Sequence, residues 1–212
     1  MGTPENVHGK LVVVHFDGAR CIHSRHCVLD RPDVFVPNAE GEWIHPDRAT
    51  PDEIAGLAHS CPSGAIRYER VDGGPQEAPP LVNVIRVREN GPLALHADAE
   101  IVGHGKVLRA TLCRCGASKS KPFCDAAHAS IGFAATGEPK ATDSQPLASR
   151  AGSLKVTPSP NGPLLLEGNV EICTGTGKTI NRVTKTALCR CGQSSNQPYC
   201  DGTHAKVGFR SE

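Results

Sequence analysis

Apolar residues in this chain fall in short runs separated by Gly- and Pro-rich stretches. In KLVVVHF, from Lys10, β-branched valines dominate, and the run predicts a strand. IRYER, from Ile66, alternates apolar and polar residues and predicts another. Between them, TPDEIAGLAHSC follows a helical period. Ile54, Leu57, Ala58 and Cys61 lie at i, i+3, i+4 and i+7 on one face. Thr50 and Glu53 have the spacing of a capping box, and Pro51 takes the tolerant first helical position. Pro62 ends the helix by biasing Cys61 away from helical geometry. Further on, NVIRVRE and ATLCRC read as strands. A short helix is expected near Asp125, with that aspartate as N-cap, and another near Asp201.

The pattern divides into three units. The first occupies residues 1–75 and ends at VDGGPQEAPP, a linker by composition. The second spans residues 81–136, the polar stretch 137–152 reads as another linker, and the third spans residues 153–212. The last two repeat each other. Cys113, Cys115, Cys124, His128 and Phe133 each recur 76 positions later, whereas NGPLAL and NGPLLL lie 71 apart. The difference locates a five-residue insertion in CTGTGKTINRVTK, whose Gly and Thr content fits a lengthened hairpin loop. The expected fold class is α+β: an N-terminal unit, then two small β-rich modules packed as an intramolecular pseudo-dimer about a pseudo-twofold axis.

Composition narrows the chemistry. Only 4% of the 212 residues are aromatic, so cores are small and lean on metals or cross-links. A net charge of +1 argues against a nucleic-acid partner or a polybasic membrane surface. The opening MGTPENVHGK is polar and no run is long enough to span a bilayer, so a cytoplasmic protein is expected. Ten cysteines in a reducing compartment point to metal or redox chemistry rather than disulfides.

Those cysteines are organised. Cys113 and Cys115 flank a single residue, and Cys124 and His128 follow at an i, i+4 relation that directs both toward one site. Cys189, Cys191, Cys200 and His204 repeat the set. Three sulfurs and one nitrogen hold either a [2Fe–2S] cluster or a tetrahedral zinc, and the one-residue gap is unusual for zinc.

The full pattern, C-x-C-x2-S-x3-P-x-C-D-x-x-H, closely resembles that of the CDGSH iron–sulfur proteins, the mitoNEET group. It runs through Cys113, Cys115, Ser118, Pro122, Cys124, Asp125 and His128, and again through Cys189, Cys191, Ser194, Pro198, Cys200, Asp201 and His204. The resemblance implies one [2Fe–2S] cluster per motif, held by the three cysteines and the histidine. It also implies that a two-motif chain builds within one polypeptide what single-motif members build as homodimers. The first copy departs from the name motif with Ala126 and Ala127, which is acceptable if Ala126 has negative φ. A histidine ligand titrates near physiological pH and carries less charge than a thiolate. Proton-coupled, acid-labile clusters are the expectation.

The first unit offers CIHSRHC and CPSGAI, with Cys21, Cys27 and Cys61. The order strand, ligand loop, helix, Cys-Pro, strand resembles half of a bacterial ferredoxin fold lacking its middle cysteine. It is closer to the divergent single-cluster 4Fe–4S domain family found fused to CDGSH repeats. That likeness rests on C-x-H-x3-C, VF, the region of Trp43, Ile44, Pro46 and Asp47, and CPSGA. Three cysteines favour [3Fe–4S]; a [4Fe–4S] cluster needs a fourth ligand, with His23 the first candidate and Ser24 the second. His26 and His59 read as solvent-facing or supporting groups, Cys173 as a buried small hydrophobe and Trp43 as core.

The functional expectation is an electron-transfer protein with three clusters, acting on redox partner proteins. The alternatives are a cluster carrier or redox and pH sensor serving apo iron–sulfur acceptors, and a zinc-stapled interaction module. No catalytic constellation is evident. GTGKT at Gly175 lacks P-loop spacing and reads as a loop.

Overall fold

The computed structural model describes residues 4–211; the first three residues of the polar opening lie outside them. The chain forms two compact units, Met1–Ala78 and Pro79–Glu212, so both copies of the repeat fall in the second.

In the first unit, strands β1 (Glu5–His8), β2 (Val12–Phe16) and β3 (Ile66–Arg70) form an antiparallel sheet in the order β1-β2-β3. Val12, Val13 and Val14 are buried, as the valine run demands. Helix α1 (His26–Asp30) is short, and α2 (Pro51–Ser60) is the helix read from the periodicity. Its capping box is present: Glu53 N donates to Thr50 Oγ1 (3.3 Å) and Thr50 N to Glu53 Oε2 (2.8 Å). Such a cap contributes about 1 kcal/mol. Ile54, Leu57 and Ala58 join Val12, Val14, Phe35 and Ile66 in one core. Cys61 closes the helix in an extended conformation (φ −77°, ψ 107°).

The second unit contains β4 (Val84–Val87), β5 (Leu93–Ile101), β6 (Gly105–Leu112) and α3 (Ala127–Ser130), then β7 (Leu154–Pro158), β8 (Leu164–Cys173), β9 (Thr179–Leu188) and α4 (Thr203–Lys206). Within the first copy, β4 and β6 pair antiparallel with β5; within the second, β7 and β9 pair antiparallel with β8. Each copy also lends its first strand to the other. β4 runs parallel to the second half of β8, through Val84–Glu171 and Arg86–Cys173, and β7 runs parallel to the second half of β5, through Ala99–Leu154 and Ile101–Val156. Every pairing therefore has a counterpart under exchange of the copies. One core follows, in which Ile85, Leu95 and Leu112 pack with Leu154, Leu166 and Ile172.

The inserted residues lengthen the second hairpin, and GTGKT lies at its tip and the start of β9. That tip holds the polar stretch between the copies. Gly175 N donates to Gly137 O (2.8 Å), and Thr142 N donates to Ile180 O (2.8 Å). At its far end, Arg150 Nε donates to the buried Glu171 Oε1 (2.6 Å). A composition that reads as a free linker is thus tied to β8 and β9.

Two local expectations are corrected. Asp125 is not the N-cap of α3; Ala126 is, with φ 67° and ψ 6°, and Gly202 takes the equivalent place before α4 with φ 85°. Asp125 instead accepts from Ala127 N (3.0 Å) and Lys119 N (2.8 Å) through its side chain, one residue earlier. The negative φ expected of Ala126 is therefore wrong. The aspartate's two backbone hydrogen bonds fix a bend, and the next residue must turn left-handed to start the helix.

Candidate metal centres

In each copy the β-hairpin ends where the ligands begin. Cys113 N donates to Pro122 O (2.8 Å) and Cys124 N to Thr111 O (2.9 Å), so the two ligand segments run side by side. Cys189 with Pro198 and Cys200 with Ala187 repeat these bonds at 2.8 and 2.9 Å. Ser118 Oγ donates to Phe123 O and Ser194 Oγ to Tyr199 O, both at 2.6 Å, which explains the serine of the motif. Lys121–Pro122 and Gln197–Pro198 are both cis.

The candidate ligating atoms come in close pairs. Cys113 Sγ and Cys115 Sγ are 3.8 Å apart, and Cys189 Sγ and Cys191 Sγ 3.6 Å. Two sulfurs bound tetrahedrally at about 2.3 Å from one metal would be separated by about 3.8 Å. Cys124 Sγ lies 3.3 Å from His128 Nδ1, and Cys200 Sγ 3.3 Å from His204 Nδ1. Each histidine thus offers Nδ1 inward. Its Nε2 faces an Asn-Gly turn, where a Cβ added to Gly91 or Gly162 would lie 3.8 Å away. Among the described residues, no three His, Cys, Asp or Glu side chains converge on one point suited to a single metal ion. Three sulfurs and one imidazole nitrogen in each copy are donors of the kind that bind iron.

Without a metal, burial works against most of these thiolates, and it pushes Cys191 up to about 11. Cys115 is held down at about 6 because Cys113 donates a hydrogen bond to it, while Cys113, the partner that keeps the proton, is pushed up. Burial pushes Cys124 up to about 11. Backbone N–H groups aim at the sulfurs: Ala126 N at Cys124 and Gly202 N at Cys200, both at 3.4 Å. Burial also lowers His128, favouring the neutral imidazole that binds metal.

The two centres meet backbone to backbone. Cys115 and Cys191 form an isolated antiparallel bridge. Gly116 (φ 84°) and Gly192 (φ 79°) follow them, and a Cβ there would sit 2.7 Å from Cys191 O and 2.6 Å from Cys115 O. Only glycine allows that approach.

In the first unit, Cys21, Cys27 and Cys61 line one cavity of about 540 Å³ together with His23, Ser24 and Trp43. The loop from Cys21 is bent by left-handed backbone at His23 (φ 55°) and Arg25 (φ 66°), and His23 N donates to Cys21 Sγ (3.4 Å). Burial raises Cys21 and Cys27, and the charge of Cys61 raises both further. Burial therefore opposes ionisation of Cys21 and Cys27 when no metal is bound. His26 is exposed and lines the same cavity; His59 is exposed and hydrogen-bonds Tyr68 (3.3 Å). Trp43 is half-buried against Phe16 and also walls the cavity. Cys173 is buried beside Thr179.

Two sets of residues were missed in the sequence. Ser63, 2% exposed, has its Oγ 3.6 Å from Cys61 Sγ; the CPSGA motif held it in plain view. Arg114 and Arg190, inside the Cys-x-Cys pairs, are 1% and 3% exposed. Their recurrence at one position of both copies was the available signal.

Comparison with known proteins agrees with this division. Residues 85–129 and 161–205 match the family described as "Iron-binding zinc finger CDGSH type". Residues 7–71 match the family described as "Divergent 4Fe-4S mono-cluster". The chain is 33% identical over 60 residues to the Escherichia coli K12 protein described as "Uncharacterized protein YjdI", covering 28% of this chain and 78% of that one. The protein of the same description from E. coli O157:H7 matches equally. No solved structure matches the chain.

Proposed function

Since the chain carries two CDGSH-type iron-binding domains after a divergent 4Fe-4S mono-cluster domain, and so belongs to the iron–sulfur proteins, we propose that it is a multi-cluster electron-transfer protein. Cys113, Cys115, Cys124 and His128 hold one [2Fe–2S] cluster, and Cys189, Cys191, Cys200 and His204 the other. Cys21, Cys27 and Cys61 hold a [4Fe–4S] cluster, with His23 and then Ser24 as fourth ligand, or a [3Fe–4S] cluster without one. When bound, these groups supply one-electron redox chemistry. The chain's own residues orient the ligands, keep water from the sulfurs and present each histidine for protonation. The copies act as a pseudo-dimer within a monomer. Its partners are redox proteins met through small transient surfaces, and we assign it no turnover of its own and the cytoplasm as its compartment.

The observation that carries this reading is the doubled arrangement of paired donors, at 3.8 and 3.3 Å in one copy and 3.6 and 3.3 Å in the other. Iron and sulfide analysis with electron paramagnetic resonance (EPR) tests it. About seven or eight irons per chain, with sulfide, is the expected result. About two or three zincs without sulfide would overturn it in favour of a zinc-stapled module.

A second reading, a cluster carrier or redox and pH sensor, is favoured by one observation. Both histidine ligands are only half-buried, unlike Cys113 and Cys189. Protonation at such a histidine competes with iron. Transfer to an apo-ferredoxin, measured at pH 8 and pH 6, separates the readings: retention at both supports electron transfer, and release on acidification supports the carrier.

A further inference from the structure

The proposed function leaves unused the buried arginines inside the two Cys-x-Cys pairs. Arg114 Nε donates to Gly91 O (2.8 Å), Nη1 to Thr136 O (3.0 Å), and Nη2 to Arg88 O (2.6 Å) and Ala135 O (3.1 Å). Arg190 Nε donates to Gly162 O (3.0 Å), and its Nη2 to Ser159 O. Each also lies over an aromatic ring, Arg114 5.3 Å from the centroid of Phe133 and Arg190 5.5 Å from that of Phe209. Every hydrogen-bond acceptor is a backbone carbonyl, and no carboxylate is among them. A buried charge without a counter-ion is expensive, so an anion belongs near each; the carboxylate of Glu89 meets part of that need for Arg114, whereas the group that bears on Arg190 is a thiol, Cys113.

The geometry names it. Two of the four carbonyls that Arg114 holds, Gly91 O and Arg88 O, belong to the turn that faces His128 Nε2, and both of those held by Arg190 belong to the turn that faces His204 Nε2. The antiparallel bridge of Cys115 with Cys191 sets Arg114 opposite Gly192, and Arg190 opposite Gly116. Each arginine therefore stands at the crossing of the two ligand loops. The thiols that bear electrostatically on Arg114 are Cys189 and Cys115, and the one that bears on Arg190 is Cys113. On the two-iron reading, three thiolates and two sulfides outweigh two ferric ions. The centre is then anionic, and more so after reduction.

We propose that Arg114 and Arg190 are positioning residues for both centres: each fixes the Asn-Gly turn against the histidine of its own copy, and each supplies buried positive charge that favours reduction of its own centre and of the other. This rests on the two-iron reading proposed above. The role is electrostatic as well as steric, because each buried guanidinium sits between two cysteines of its own copy and bears on a thiol of the other.

The test uses the full chain and the variants Arg190→Gln, Arg190→Lys, Arg114→Gln and Arg114→Lys. Iron, sulfide and the EPR spectrum are measured first on the parent. Absence of sulfide there would refute the two-iron reading itself, separately from the arginine proposal. Redox titration against dithionite, followed by EPR, then reads each centre. In Arg190→Gln both centres are expected to move to more negative potentials, including the first, whose ligand segments are untouched. Arg190→Lys keeps the charge and is expected to stay near the parent. Arg114 variants should mirror this. Parent-like potentials in both glutamine variants would overturn the charge role, and a shift confined to the altered copy would overturn its reach to the other. If the glutamine variants take up no iron, the lysine variants decide. Parent-like potentials support the proposal, whereas a shift as large and negative as loss of charge would give, or loss of iron here too, overturns it.

Discussion

Ala126 and Gly202 occupy the same left-handed position before the two histidine helices, at φ 67° and 85°. One copy carries the residue that conformation disfavours, the other the residue it favours. Left-handed backbone costs an L-residue about 1–2 kcal/mol. Against this, alanine loses about 0.4–1 kcal/mol less chain entropy on folding than glycine. The net is about 0.5–1 kcal/mol. A Cβ at Gly202 meets nothing within 4 Å, so no steric contribution blurs the comparison. Ala126→Gly is therefore expected to stabilise the second unit by about 0.5–1 kcal/mol, and Gly202→Ala to destabilise it by the same amount. Urea melts of the full chain, read by far-UV circular dichroism, measure both. The single tryptophan, Trp43, lies in the first unit. Its fluorescence serves as an internal control that should not move. Shifts of the same sign in the two variants, or none in either, would refute the assignment of strain to this position.

Further expectations follow from the same geometry. The double variant His128→Cys, His204→Cys should lower the potentials and flatten their pH dependence, seen by redox titration across pH; a persistent slope would contradict histidine control. Gly116→Ala forces a Cβ to 2.7 Å from Cys191 O at φ 84°. It should cost about 2 kcal/mol or more and deplete iron from both copies, whereas loss of only two irons would show the copies to be independent. Glu171 is buried, and the hydrogen bond from Arg150 holds its carboxyl below its usual value. Its stabilising contribution is present above about pH 4.5 and is lost as the pH falls through the lowered value. Glu171→Gln should therefore be less stable at neutral pH, by about 1.5–3 kcal/mol. It should also show a flatter acid limb in melts between pH 7 and pH 3; an unchanged limb would place the acid sensitivity elsewhere.

The candidate ligand sets stood out in the sequence because cysteine and histidine carry their chemistry in their identity, and the repeat supplied a second reading of each position. Helix α2 was legible because its cap, period and proline stop agree. β1 was not, because ENVH has no apolar alternation. It is mostly exposed and is held by backbone pairing to β2. Arg114 hid for the opposite reason: charged residues are so seldom buried that one between two cysteines reads as solvent-facing. The stretch 137–152 has the composition of a free linker, and its anchors, Gly175, Ile180 and Glu171, are far away in sequence. Ala126 misled because its conformation is set by Asp125, whose side chain bonds backbone rather than capping.

The lending of β4 to β8 and of β7 to β5 bears on how this gene can drift. A change in either strand is tested at once against both halves of the chain, so neither half is free to wander alone. The lent strands themselves differ between the copies, VIRV against KVTP, yet keep a buried apolar residue at the matched positions Ile85 and Val156, and outside the exchange the halves differ further. One has Arg88-Glu89 before its Asn-Gly turn, the other Ser159-Pro160, and only the second carries the lengthened hairpin. Repetition gives this chain two matching constellations, and the shared strands bind them into one folded body.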